Sequence, residues 1–261
     1  MKYSLHNKQI VTYLKKADEI VIAYKDRRAI PDYAKKYPQA ALTLEVPPTT
    51  QWEIAELKDY CILSRNRLTL CLPEMTDPRI QELKDNNIPF FWGYTINTAA
   101  ELVALKNFGV SQARIGAPLF FQTNVLKKID LIYRVSANIA HEGYIPGMSG
   151  INGSWIRPED VELYDDVIDI IEFADCDNNK EQALYRIYAE QKAWPGKVNM
   201  IITNIEDDKA YNRILPREFT EHRLNCGQRC SSGGACSLCY RYFGLADKEL
   251  IKDYAETMGL I

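Results

Sequence analysis

Four cysteines in a short segment near the end of the chain have the spacing of a metal-binding site. The segment reads NCGQRCSSGGACSLCYRYFG, and its pattern C-x3-C-x5-C-x2-C is formed by Cys226, Cys230, Cys236 and Cys239. A tetrahedral metal ion or an iron–sulfur cluster needs several thiolates within a few ångströms of one another. Short spacings bring thiolates together with little loss of chain entropy. We therefore expect these four residues to bind one metal centre.

The spacing leaves the identity of the metal open. The C-x2-C half is common in structural zinc sites, but C-x3-C is not the usual first half of a zinc ribbon. Radical enzymes that cleave S-adenosylmethionine typically contain C-x3-C-x2-C, and the longer middle spacing here breaks that pattern. A [4Fe–4S] cluster and Zn²⁺ are therefore both consistent with the four thiolates.

The rest of the chain alternates short apolar runs with segments of helical periodicity. Runs of this kind predict buried parallel strands covered by helices. The predicted strands are Glu19–Tyr24, Ala41–Val46, Arg67–Leu72, Pro89–Tyr94, Ala113–Gly116, Tyr133–Ala137, Ser154–Arg157 and Asp169–Phe173. Eight strand–helix units of about 20–30 residues predict a (β/α)8 TIM-type barrel, with an open doubly wound sheet as the alternative fold.

Two helices are predicted with particular clarity, and the pattern changes after them. One begins at an N-cap formed by Thr98, with Glu101 completing a capping box, and ends at Gly109. The other spans Lys180–Lys192. From about Trp194 the strand–helix alternation stops. We therefore expect a barrel over residues 1–195 and a C-terminal appendage over residues 196–261, which holds the four-cysteine site and a terminal helix.

Chemistry in such a barrel takes place at the C-terminal ends of the strands. Polar side chains expected there to bind substrate are Glu45, Arg114, Arg134, Asn138 and Glu159. The alternative is that many of these rim residues are solvated loop charges or parts of structural ion pairs.

Three further residues of this rim are predicted to be catalytic: Glu172, Arg157 and His141. Glu172 lies inside an apolar strand, where an unpaired carboxylate is costly, so an arginine partner, Arg134 or Arg157, is expected. His141 lies in the glycine-rich loop 139–153, which is long enough to act as a lid.

The segment WIRPEDVELYDDVIDIIEF, followed by KEQALYRIYAEQKAW, resembles the peptidase family that is often labelled collagenase-like. In that family a strand with an R/K-P-E-D motif leads into a helix, a strand with a buried glutamate, and a further helix. The resemblance covers roughly residues 88–195. The matching residues in this chain are Arg157, Pro158, Glu159, Asp160, Glu172, Tyr185, Arg186 and Tyr188.

The resemblance implies a barrel fold and an activity other than proteolysis. Several branches of the family act as oxygen-independent hydroxylation factors on RNA bases or quinone precursors, and members of the quinone branch carry a [4Fe–4S] cluster on four cysteines. Their cysteines are dispersed, whereas those of this chain lie in one segment. The last predicted strand here also reads IIEFADCD and lacks the Gly-Arg of the family's K-I-E-G-R ending.

Three classes of function are compatible with the sequence. We expect an enzyme that hydroxylates or otherwise modifies an RNA base or a small aromatic substrate. The alternative is a non-catalytic nucleic-acid-binding or scaffold protein with structural zinc, because basic and aromatic residues are interleaved around the cysteines. A peptidase is the second alternative, and no recognisable hydrolytic nucleophile or catalytic zinc motif supports it.

Composition indicates where the protein acts and what it binds. The net charge of −3 provides no global basic field for nucleic acid. No apolar run approaches the ~18 residues that cross a bilayer, and the N-terminal residues lack the pattern of a secretory signal. We therefore expect a cytoplasmic protein with no membrane partner. We expect its substrate to be a polar small molecule or RNA, and the sequence leaves a protein partner open.

Replacement of Cys236 by Ser is expected to remove most of the bound metal, because one of four thiolate ligands is lost. Metal per chain, measured by elemental analysis of anaerobically purified protein, tests this expectation. Cys61→Ser is the control, since Cys61 lies outside the cysteine segment. Unchanged metal content in the Cys236 variant would remove the prediction of a four-cysteine site.

Overall fold

Eight parallel strands close into a barrel in the computed structural model, which describes residues 2–6, 18–48, 50–73, 80–120, 122–138, 156–173, 176, 178–190, 220–221 and 224. Neighbouring strands in the chain are neighbours in the sheet, and the first strand pairs with the last through Lys2–Ile170 and Tyr3–Ile171. The strands are β1 (Lys2–His6), β2 (Glu19–Ala23), β3 (Ala41–Glu45), β4 (Leu68–Leu72), β5 (Phe90–Ile96), β6 (Gln112–Ile115), β7 (Ile132–Ser136) and β8 (Ile170–Glu172). The predicted (β/α)8 TIM-type fold is confirmed.

Helical segments connect most of these strands. Two 3-10 helices, Tyr24–Ala29 and Pro158–Tyr164, follow the ends of β2 and precede β8, respectively. The α-helices are α1 (Ile30–Lys36), α2 (Ile54–Leu63), α3 (Ile80–Asp85), α4 (Ala99–Phe108), α5 (Ala117–Phe120), α6 (Thr123–Leu126) and α7 (Asn178–Glu190). The predicted helix Lys180–Lys192 corresponds to α7. Among the described residues, no helix is both long and apolar enough to cross a membrane.

The set of eight strands differs from the prediction at one position. The run Ser154–Arg157 was predicted as a strand from its apolar residues. Its described residues, Ile156 and Arg157, lie instead in the connection that precedes the 3-10 helix Pro158–Tyr164. The strand that the prediction missed is β1, whose sequence KYSLH has too few apolar residues to be predicted as a buried strand. The other predicted strands coincide with β2 to β8.

Alternate residues of the strands form the layer between the barrel and its helices. Ile20 and Ile22 of β2 and Leu42 and Leu44 of β3 are completely buried in the same core cluster as Leu57 of α2. The period of two that separates them is that of a strand with one face toward the helices. The intervening residues therefore face the interior of the barrel.

Helix α4 begins and ends as its sequence predicts. The Thr98 hydroxyl accepts a hydrogen bond from the Glu101 backbone N–H, and the Glu101 carboxylate accepts one from the Thr98 backbone N–H. Gly109 ends the helix with a φ of 88°, a left-handed conformation that favours glycine. This capping box fixes the connection between β5 and β6.

Most of the C-terminal appendage lies outside the described residues. The boundary at residue 195, the four cysteines and the terminal helix therefore stay predictions. Two points of contact with the barrel are described just before Cys226. The Thr220 hydroxyl donates to Asp160, and the backbone carbonyl of Leu224 accepts a hydrogen bond from Thr123 at 3.0 Å. The segment that leads into the cysteines thus touches the barrel.

Replacement of Thr98 by Ala is expected to lower the unfolding free energy by about 1 kcal/mol, because the N-terminal amides of α4 lose their cap. Urea denaturation followed by circular dichroism measures the change. Gln39→Ala, in an exposed turn, is the control and should be near neutral. Equal stability of the Thr98 variant and the control would contradict a role for the capping box.

Candidate functional site

A cavity of about 530 Å³ opens at the C-terminal ends of β2 to β5. This is the end of a (β/α)8 barrel at which enzymes of this fold bind their substrates. The volume lies within the range of about 300–1,000 Å³ that is typical of small-molecule sites. The lining residues are Ala23, Tyr24, Lys25, Glu45, Val46, Pro47, Pro48, Cys71, Leu72, Pro73, Gly93 and Tyr94.

Two charged side chains stand in a largely apolar cavity wall. Glu45 is half-buried at the end of β3, and Lys25 is exposed just beyond β2. They do not form an ion pair with each other, and neither makes an ion pair or hydrogen bond with another described residue. Both charges are therefore available to a ligand in the cavity.

Tyr24 is a fixed part of the same wall. Its hydroxyl lies 3.3 Å from the Gln51 carbonyl and 3.4 Å from a carboxylate oxygen of Glu56. Arg27 stacks on its ring at 4.3 Å and also donates to Glu56 at 2.8 Å. Burial, together with the Glu56 carboxylate, raises the pKa of the Tyr24 phenol. Tyr24 is thus a neutral, immobilised aromatic surface.

Cys71 and Gly93 form the side of the cavity nearest the barrel interior. Cys71 pairs in register with Glu45 across β3 and β4. Burial raises the pKa of the Cys71 thiol to about 12, so the thiol is protonated at neutral pH. A Cβ atom at Gly93 would lie 3.0 Å from the Cys71 sulfur. The missing side chain at Gly93 therefore leaves room for Cys71 beside the cavity.

Beneath the cavity, Glu172 of β8 lies between two arginines. Arg114 of β6 donates from Nε to Oε2 at 2.7 Å and from Nη2 to Oε1 at 3.3 Å. Arg134 of β7 donates to Oε1 at 2.6 Å. Arg114 also donates to the carbonyl of Gly93, which lines the cavity. The ion pairs are thereby connected to the cavity wall.

The ion pairs continue across the barrel interior to β2. Arg134 donates to both carboxylate oxygens of Glu19, which also accepts a hydrogen bond from Thr43 at 2.7 Å. Strands β2 and β7 are separated in the sheet by β1 and β8, so this contact passes through the interior. Phe91 packs its ring 4.7 Å from the Arg134 guanidinium carbon. We call Glu19, Arg114, Arg134 and Glu172 the interior ion network.

The interior ion network holds the Glu172 carboxylate ionised. Burial by itself would raise the pKa of Glu172, but Arg114 and Arg134 outweigh burial and hold that pKa well below its usual range. In the same way, Glu172 raises the pKa of Arg114. The four charges of the network sum to zero, which is the condition under which charges are tolerated in a dry interior.

Arg157 and Glu159 belong to a different cluster. Arg157 binds both carboxylate oxygens of Asp160, at 2.6 and 2.8 Å, and lies 3.6 Å from Glu159. Asp160 is completely buried and also accepts a hydrogen bond from Thr220 at 2.5 Å. Arg157 is therefore not the partner of Glu172. The expected arginine partner is Arg134, with Arg114 as a second.

Asn138 is buried at the end of β7 and donates to the Cys176 sulfur at 3.2 Å. This contact joins the residues that follow β7 and β8. His141 and the four cysteines Cys226, Cys230, Cys236 and Cys239 lie outside the described residues, so their roles stay predictions. Among the residues that the structure describes, no group of three or more His, Cys, Asp or Glu side chains could hold a metal ion.

The structure brings together part of the predicted rim. Arg114, Arg134 and Glu172 meet in one network, and Glu45 lines the cavity above it. Glu172, Arg157 and Arg134, which were predicted at the rim, do not line the cavity, whose lining instead follows β2 to β5. Cys71 was missed as a site residue, and it lies at the cavity because it is the second-last residue of β4. Its position near a strand end was the available signal.

Comparisons with known proteins identify no family for this chain and carry no argument about its fold or activity. A scan against protein-family models and a search of curated proteins found no match. Among solved structures, similar folds include a thiamine phosphate pyrophosphorylase from Pyrococcus furiosus (12% identity, 72% of this chain and 95% of that chain covered, TM-score 0.42). The native KDPGal structure (11% identity, 72% and 92%, TM-score 0.43) is another. A third is the 4-hydroxy-2-oxoglutarate aldolase/2-deydro-3-deoxyphosphogluconate aldolase from TTHB1 (12% identity, 72% and 90%, TM-score 0.41). Similarity at this level carries no argument about activity.

Replacement of Glu172 by Gln is expected to lower the unfolding free energy at neutral pH by about 3 kcal/mol or more, because the buried Arg134 and the largely buried Arg114 lose their shared counter-charge. Chemical denaturation at pH 7 measures this loss. Glu82→Gln, exposed on α3, is the matched control. Equal stability of the two variants would contradict the importance of the network.

The same variant is expected to change the dependence of stability on pH. The folded-state pKa of Glu172 is lower than the ordinary value of 4.5, so its ionised form stabilises the protein above that value. This contribution is lost as the pH falls toward the folded-state pKa. Wild-type protein should therefore lose more stability than Glu172→Gln between about pH 5 and pH 3. Parallel pH profiles would show that Glu172 is not held ionised.

Proposed function

We propose that this chain is a barrel enzyme whose substrate binds in the cavity at the C-terminal ends of β2 to β5. The cavity itself carries this proposal. Its lining follows four consecutive strands and combines apolar and aromatic walls with two charged side chains that have no described partner. A pocket of this kind, at this end of a parallel barrel, is the usual place of a substrate site.

We assign the enzyme to the collagenase-like peptidase family and to its hydroxylation-type branches. One observation supports this assignment: Glu172 is buried in β8, as the resemblance implies. The R-P-E-D residues open the 3-10 helix Pro158–Tyr164, and the described residues before them do not form the strand that the family motif includes. Within that block, Arg157 and Asp160 form a buried bidentate pair. The block therefore has a structural role in the connection between β7 and β8.

The proposed enzyme carries a metal centre on Cys226, Cys230, Cys236 and Cys239. Four thiolates suit a [4Fe–4S] cluster, which would transfer electrons, or Zn²⁺, which would stabilise the segment. Thr220 contacts Asp160 and Leu224 contacts Thr123, so these two residues before the cysteines lie at the barrel. Cys226 follows Leu224 by two residues, a reach of about 7 Å at most.

We favour a small aromatic substrate over an RNA base. The charges of Lys25 and Glu45 cancel within the cavity, so its described wall offers no excess positive charge to a phosphate backbone. The prolines and tyrosines of the wall suit a ring. Within this site, Glu45 and Lys25 would bind and orient the substrate, and the interior ion network would hold the wall in place through Gly93.

Anaerobic purification tests the metal centre on which this function depends. We expect a brown protein with broad absorption near ~400 nm and with iron and sulfide in proportion to the chain. Cys61→Ser should retain the spectrum, and Cys230→Ser should lose it. A colourless protein with about one zinc per chain would overturn the redox assignment. Protein without iron or zinc would overturn the metal centre altogether.

A further inference from the structure

The cavity presents two opposite charges to the same space. Glu45 and Lys25 follow adjacent strands, β3 and β2, and both line the cavity. They are not within ion-pair distance of each other, and no described residue neutralises either of them. A half-buried carboxylate beside Val46 and Pro47 is poorly solvated and gains from a cationic partner. A ligand can therefore place a positive group beside Glu45 and a negative group beside Lys25.

The remainder of the wall is apolar or aromatic. Tyr24 is immobilised by its contacts with Arg27 and Glu56, and the protonated thiol of Cys71 contributes no charge. The prolines after β3 and β4 add flat, rigid surfaces. Apolar surface of this kind buries a hydrocarbon ring favourably, while the two charges at the edge fix its orientation.

We propose that the cavity binds a zwitterionic aromatic α-amino acid or a close derivative. The ligand's ammonium group donates to the Glu45 carboxylate, its carboxylate pairs with Lys25, and its ring packs on the apolar wall. This inference rests on the proposed function, because it concerns the same cavity, and it names the class of substrate.

Charge balance distinguishes this class from related ligands. A ligand with only carboxylates would place an anion beside Glu45, and a simple amine would place a cation in the field of Lys25. Like charges brought close together in a partly desolvated site repel one another. A zwitterion satisfies both positions and leaves the occupied cavity with no net charge.

Titration calorimetry on the purified full-length protein tests the proposal with a matched set of probes. The probes are L-phenylalanine, L-tyrosine and L-tryptophan, with 3-phenylpropionate lacking the ammonium group and phenethylamine lacking the carboxylate. At least one amino acid is expected to bind, and about 10-fold more tightly than the two truncated probes. No binding of any amino acid at about 10 mM overturns the proposal.

Two charge-neutralising variants show whether binding occurs at this cavity. Glu45→Gln should weaken amino-acid binding about 10-fold and leave the binding of 3-phenylpropionate unchanged. Lys25→Gln should also weaken amino-acid binding about 10-fold, but it should leave the binding of phenethylamine unchanged. Glu82→Gln and Lys35→Gln, exposed on α3 and α1, are the controls. Binding that neither cavity variant weakens lies elsewhere, and this result overturns the proposal.

The outcomes separate this inference from the proposed function. If 3-phenylpropionate binds as tightly as L-phenylalanine and Lys25→Gln weakens both, the zwitterion is wrong and the cavity remains the substrate site. If no probe of any kind binds while the metal centre is present, the amino-acid class is wrong and the redox assignment stands. Tight binding of an amino acid to protein without metal would support the class and overturn the metal-dependent function.

Discussion

The position of Glu172 between Arg114 and Arg134 is the interaction on which the barrel interior depends. A closed eight-stranded barrel must fill its interior with side chains, and branched apolar residues usually do so. Here charged side chains reach across the interior and join β2, β6, β7 and β8. They are stable there only because each carboxylate meets arginine donors and the charges sum to zero. In this protein, the side chains that fill the barrel interior must therefore also neutralise one another's charges.

This requirement also organises the mouth of the barrel. Arg114 donates to Glu172 and to the carbonyl of Gly93, so it spans from the network to the wall of the cavity. Its side chain is 20% exposed, whereas that of Arg134 is completely buried. Polar side chains therefore differ between the two parts of the barrel. Those of the interior ion network are paired with one another, whereas Glu45 and Lys25 at the cavity are open to a ligand.

Sequence patterns predicted the fold because local signals and burial agreed for most strands and helices. The capping box of Thr98 and Glu101 needed no tertiary information, since both partners lie within one helical turn. Strand β1 escaped prediction because its pairing with both β2 and β8, and not its own composition, makes it a strand. The prediction of Ser154–Arg157 failed for the opposite reason, since Ile156, its described apolar residue, is buried without belonging to a strand.

The candidate site was predictable in residue type but not in arrangement. A carboxylate in the run IIEF required a cationic partner, and Arg134 was one of the two named from the sequence. Arg114 lies 58 residues from Glu172, and only the strand register shows that both side chains point inward. The cavity is harder still to predict, because it depends on how residues of β2 to β5, which are distant in the chain, come together at one end of the barrel.

The interior ion network also constrains how this sequence can change over time. A single substitution that removes one of its charges leaves an opposite charge buried and uncompensated, so its effect depends on what occupies the other three positions. Tolerated change would therefore need paired, compensating substitutions on strands far apart in the chain. Exposed side chains of the described helices that form no ion pair, such as Glu82 on α3, are not coupled in this way and can diverge one residue at a time. Covariation among positions 19, 114, 134 and 172 would be the evolutionary signature of a barrel whose interior is filled by charged side chains.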